Sequence, residues 1–153
     1  MLLSEVFLGL GEDNFTGLLR SVSIGKLRTF RLYDRVKARA HLTKLNSETL
    51  RKAAPRLWER MAEKDDEFAT DISQAVLVSH MDMIQAVLDF LGVPHEDGFF
   101  AKDADVSSYL TEGWRERAYN QFQEKYPKEP LLFYVNHLAW EIQKPGVLFQ
   151  PSR

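Results

Sequence analysis

The sequence predicts an all-α fold: a single-domain helical bundle of about five to seven helices over residues 1–153, with a central apolar helix near 65–91. Three observations lead there. Six Pro and eight Gly in the whole chain leave long uninterrupted stretches, as helices require. Capping and stop residues fall at the ends of those stretches. The segment 65–91 is apolar around most of its circumference, as in a helix enclosed by others.

Taken in order, Leu2 to Leu10 reads as a short helix ended by Gly9 or Gly11. Asn14 is a candidate N-cap for a second short helix from Phe15 to Val22. A long helix is expected from about Ser23 to Leu45. Asn46-Ser47 then breaks the chain, and Ser47 caps a helix to about Ala62. Pro55 lies inside that pattern and predicts a kink or a break before it. Asp65-Asp66-Glu67 place negative charge at the start of the next helix, where the helix dipole favours it. That helix runs to Leu91 and stops at Gly92-Val93-Pro94. Residues 94–113 are the longest irregular stretch, with a helical turn near Val106 to Leu110. Trp114 to Tyr126 forms a helix ended by Pro127. The last helix starts at Glu129 or Pro130, reaches about Gln143, and stops at Pro145-Gly146. The apolar tail Val147-Leu148-Phe149 is read as docking on the core or on a neighbouring subunit.

Charge is uneven although the net is only −2. Residues 20–60 hold twelve Lys/Arg against three acids, and residues 61–116 hold thirteen acids against three bases. Either the basic part meets an anionic partner, or the two parts neutralise each other by packing. Cysteine is absent, which removes disulfides, thiolate nucleophiles and Cys-ligated metals. The first ten residues carry Glu5 and no basic stretch, so they do not read as a signal peptide. No segment reads as a membrane span, and a cytoplasmic location is expected.

Within 65–91, Asp71, Gln74, Asp82, Gln85 and Asp89 fall in one narrow arc at 100° per residue. His80 lies opposite that arc and is expected to be buried, as a candidate general base or metal ligand, or as a hydrogen-bonded core histidine. On the last helix Tyr134, His137 and Glu141 share one side. His137 and Glu141 stand four residues apart, so both can reach one metal ion, with His41 as a third ligand. The plainer reading of the pair is a solvated surface contact. His95-Glu96-Asp97 is a candidate cation or acid–base cluster, or simply a good polar turn. Arg28, Arg31, Arg35 and Arg39 step along one helical ridge suited to anions or phosphates. Lys52, Arg56 and Arg60 form a second ridge. A pI near 6 argues against a dedicated nucleic-acid domain. Trp58, Phe99, Phe100 and Phe149 are candidates to line a pocket.

No phosphate loop, nucleophile elbow or zinc-ligand spacing occurs, so no cofactor is implied. The function expected is a helical binding or interaction domain that associates with itself. The alternatives are a metal-binding or acid–base enzyme built on buried histidine, and an anion or nucleic-acid binder on the Arg28–Arg39 ridge.

Overall fold

The computed structural model describes residues 1–22, 47–143 and 146–151. The predicted helix 23–45, with His41 and the Arg28–Arg39 ridge, lies outside the described residues. Those residues form seven α-helices, one 3-10 turn and a two-stranded hairpin, an all-α fold as the sequence predicts. Among them, no helix is long and apolar enough to cross a membrane. The chain divides into two compact units, Met1–Ser79 and His80–Arg153.

In the first unit, α1 (Leu3–Leu10) and α2 (Glu12–Arg20) are separated by Gly11 alone. Gly11 has φ 95°, which a side-chain-bearing residue rarely adopts, so the chain reverses without a loop. This moves the start of α2 upstream of the predicted Asn14 cap. Asn14 instead donates through Nδ2 to the Leu10 carbonyl at 2.6 Å and closes the end of α1. The third helix, α3 (Ser47–Ala62), runs through Pro55 without the expected break. Pro55 lies on the exposed side, while Ala54, Leu57 and Met61 are buried, so packing of that face holds the helix together. Helix α4 (Asp66–Ser79) starts as expected at the acidic run. Asp65 is its cap, since Oδ1 accepts from the Phe68 amide at 3.0 Å. Asp66 Oδ1 accepts from the buried Ser4 hydroxyl at 3.0 Å, tying α1 to α4. Phe7, Phe15 and Trp58 make a continuous aromatic contact, with ring centroids 5.9 and 5.4 Å apart. Arg60, the last member of the second basic ridge, stacks over Phe68 at 4.4 Å and pairs with Asp65 at 3.5 Å.

The predicted helix 65–91 is two helices. The Ser79 hydroxyl donates back to the Ala75 carbonyl at 2.8 Å, a contact that bends helices. His80 then leaves the helical region, with φ −130° and ψ 36°. It becomes the residue before α5 (Met81–Leu91), which opens the second unit. His80 is half-buried, not buried as expected, because the break removes it from the continuous face on which the sequence places it. The polar arc survives in pieces: Asp82 and Asp89 are exposed on α5 and Gln85 half-exposed, over buried Met81, Met83, Ile84, Val87 and Leu88.

Helix α5 ends as the sequence predicts. Gly92 is left-handed at φ 76°, and the Val93 amide reaches the Leu88 carbonyl at 3.0 Å, a Schellman closure with Val93 buried behind it. The stretch after it is less irregular than expected. Strands β1 (His95–Glu96) and β2 (Phe99–Phe100) pair antiparallel across Asp97-Gly98. Both turn residues have positive φ, 53° and 94°, the geometry for which Asp-Gly is favoured in two-residue hairpins. A 3-10 turn covers Val106–Tyr109, close to the predicted turn. Helix α6 (Trp114–Phe122) ends before the predicted Tyr126, and α7 (Lys128–Glu141) starts directly after Pro127. Helix α6 packs against both α5 and α7. All ten residues from Pro130 to Ala139 are buried, so α7 is the enclosed helix of this unit.

Gly98 meets two constraints at once: its φ is 94°, and a Cβ there would lie 2.6 Å from Met81 Cε. Gly98→Ala is expected to destabilise the second unit by about 2 kcal/mol, part of it relieved by movement of the Met81 side chain. A lower urea midpoint with unchanged slope would show this.

Candidate functional site: the polar side chains of helix α7

Because α7 is enclosed, each of its polar side chains must find a partner inside the protein or remain unsatisfied. Asn136 and His137, adjacent in sequence, take opposite courses.

Asn136 has no exposed surface and is fully used. Nδ2 donates to the Leu132 carbonyl one turn back at 3.0 Å, and to the Phe149 carbonyl at 3.1 Å. Oδ1 accepts from the Phe149 amide at 2.7 Å and from Arg115 Nη1 at 3.2 Å. One side-chain amide therefore pairs with both backbone groups of a single residue in the C-terminal segment, as a neighbouring strand would. The Phe149 ring packs on Tyr119 of α6, with centroids 5.6 Å apart. Beside it opens a recess of about 380 Å³, lined by Phe149, Leu110, Thr111, Trp114 and Arg115 among others. Arg117 fastens the rim, donating to the Glu112 carbonyl at 2.7 Å and to the Thr111 hydroxyl at 2.8 Å. Burial lowers the pKa of Arg115 from its ordinary value, and its bond to the Asn136 oxygen holds the guanidinium at the base of the segment.

His137 is 7 % exposed and lies between Phe133 and Trp140, with both ring centroids 5.4 Å away. Its Nδ1 is buried without a hydrogen-bond partner, and Glu141 Oε2 stands 3.9 Å off, beyond bonding distance. Desolvation pushes the imidazole down to about 4, so it is neutral near pH 7. The solvated surface pair that the spacing suggests is thus only half right: Glu141 is exposed, but His137 is not. Burial, and second the Glu141 carboxylate, raise the Tyr134 hydroxyl far above an ordinary phenol. Partial burial also raises Glu141. His137 and Glu141 can supply two metal donors, but a metal site needs a third, and His41 lies outside the described residues. Among those residues no three His, Asp or Glu side chains converge. His80, the candidate general base, precedes α5 rather than belonging to the α7 face.

His95-Glu96-Asp97 proves to be turn chemistry. His95 Nδ1 accepts from the Gly98 amide at 3.1 Å, and Nε2 lies 2.6 Å from Asp89 Oδ1 on α5. A nitrogen that accepts from a backbone amide carries no proton, so Nε2 is the donor to Asp89. Both ring nitrogens are spent on holding the hairpin to α5. Of the aromatic pocket candidates, Phe149 lines the recess, Trp58 packs on Phe15, and Phe99 is exposed.

Nothing in the sequence pattern marks Asn136 as a site residue. A polar residue between Val135 and Leu138 on an apolar helix was the available signal, but its partner is the backbone of Phe149, which carries no side-chain signature. Comparison with known protein families, curated proteins and solved structures finds no match to this chain.

A neutral buried histidine makes stability depend on pH. The folded state binds fewer protons than the unfolded state between about 4 and the unfolded value near 6.5. The contribution of His137 is therefore whole above pH 6.5 and is lost as pH drops toward 4, by up to about 3 kcal/mol. His137→Leu is expected to remove that slope and to stay within about 1 kcal/mol of the parent at pH 7, since it deletes an unsatisfied buried atom. Chemical denaturation at pH 4.5, 5.5 and 7 reads both effects.

Proposed function

We propose that this chain is a helical interaction domain that binds an extended polypeptide segment on the α6–α7 face of its second unit. The observation that carries this reading is the pairing of Asn136 with both backbone groups of Phe149. Pairing to main chain gives affinity whatever the sequence, and the pocket for one side chain gives selectivity, which is how strand-addition sites recognise peptides. Here Tyr119 receives the aromatic ring, and Arg115 braces the Asn136 amide. The ligand class that fits is an extended segment with an aromatic residue at the position of Phe149.

A labelled peptide with the sequence of residues 145–153 tests this directly. Full-length chain carrying Phe149→Ala, whose own segment lacks the ring, is expected to bind the peptide saturably by fluorescence anisotropy. Adding Asn136→Leu should weaken binding by about 100-fold, the equivalent of two or three hydrogen bonds of about 1 kcal/mol each. No binding to folded Phe149→Ala chain at millimolar concentration would sink the reading.

A further inference from the structure

His137, next to Asn136 on α7, takes no part in the peptide site. We propose that His137 Nδ1 and the Glu141 carboxylate together bind one divalent transition-metal ion of the zinc class, with water filling the remaining coordination positions. This site is independent of the peptide reading.

Two observations point to a ligand here. The first is the ring nitrogen. Among the described residues, His137 Nδ1 is the one buried side-chain nitrogen or oxygen without a hydrogen-bond partner. Leaving such an atom unsatisfied is costly, and a buried polar atom without a partner is a place to look for an ion. Asn136 beside it, equally buried, makes four bonds. The second observation is the carboxylate. Glu141 stands one turn further on, the i, i+4 relation that brings two side chains together on one helix face. Its Oε2 lies 3.9 Å from Nδ1, and among the described residues no Lys or Arg pairs with it. At that separation the two atoms do not bond each other. Two donors held about 2.1 Å from a tetrahedral ion stand roughly 3.4 Å apart. A small rotation of the Glu141 side chain, which is 45 % exposed, closes the difference.

The donor set defines the class of ion. An imidazole nitrogen with a carboxylate oxygen suits zinc, copper, nickel or cobalt, whereas Ca2+ and Mg2+ are held by oxygen alone. Cysteine is absent, so no thiolate draws the preference toward softer ions. The imidazole is already neutral at pH 7, the form in which histidine ligates. Phe133 and Trp140, with ring centroids 5.4 Å from the imidazole, shield its side of the site, while the exposed Glu141 gives the ion and its waters a way in. The third donor that a metal centre needs is then water, which makes the site open, unlike a closed four-residue structural zinc centre.

The test uses the full-length chain, stripped of metal with a chelator and titrated with Zn2+ by isothermal calorimetry, with Ca2+ as the control. Nitrogen-15 NMR of the histidine rings shows which imidazole is bound. The expected result is one Zn2+ per chain, no binding of Ca2+, and the largest ring shift at His137 Nδ1. Glu141→Gln, which is isosteric and exposed, and His137→Leu are each expected to weaken Zn2+ binding at least tenfold, since losing even a residue that only orients a ligand costs about that much. Circular dichroism confirms that each variant is folded. If His137→Leu folds poorly, Glu141→Gln and the ring spectrum carry the test. No saturable Zn2+ binding up to about 1 mM would overturn the proposal. So would equal binding of Ca2+, binding unchanged by both substitutions, or a shift at His80 or His95 in place of His137. Weakening in His137→Leu with none in Glu141→Gln would also overturn it, because the chelate requires both donors.

Discussion

A carboxamide with no access to water organises the second unit. Asn136 sits in a run of ten buried residues of α7, where an unsatisfied amide costs on the order of several kcal/mol. Its four hydrogen bonds remove that cost by joining three parts of the chain: the turn below it on α7, Arg115 near the start of α6, and the backbone of Phe149. The position of the C-terminal segment follows from this requirement. So does the recess beside Arg115 and Phe149, since both of its flanks are attached to the same amide.

His137 shows what happens when the same enclosure finds no partner. Flanked by two tilted aromatic rings, with its Nδ1 3.9 Å from a carboxylate, the imidazole stays neutral because charging it in that environment costs more than Glu141 can return at that distance. Side by side on one helix, Asn136 fastens a segment, and His137 is a buried imidazole held neutral. The two effects are separable, because none of the four polar contacts of Asn136 involves the imidazole.

The first unit depends on a different device. Gly11 lets α1 and α2 follow each other without a loop, which sets Phe7 edge-on to Phe15 and Phe15 against Trp58. The buried Ser4 hydroxyl then holds the start of α4 through Asp66. Sequence alone places Asp66 at a helix start for reasons of dipole. That its carboxylate also reaches α1, 62 residues away, is a consequence of packing.

What the sequence by itself determined is local: the all-α class, the stop at Gly92, the acidic start of α4, the turn near Val106, and His95-Glu96-Asp97 as a polar turn. These depend on backbone preferences and caps within a few residues, and a single chain displays them. The break at His80 was not legible, because an apolar pattern continues through it and the Ser79 back-bond gives no periodic sign. Nor was the burial of His137, since spacing puts it on the same side as Glu141 but cannot say what covers that side. Least visible was the role of Asn136. Whether a lone amide on an apolar helix faces water, another side chain or a distant backbone depends on which segment packs over it. Only the tertiary structure decides that, because the partner is a main-chain amide and carbonyl that every residue possesses.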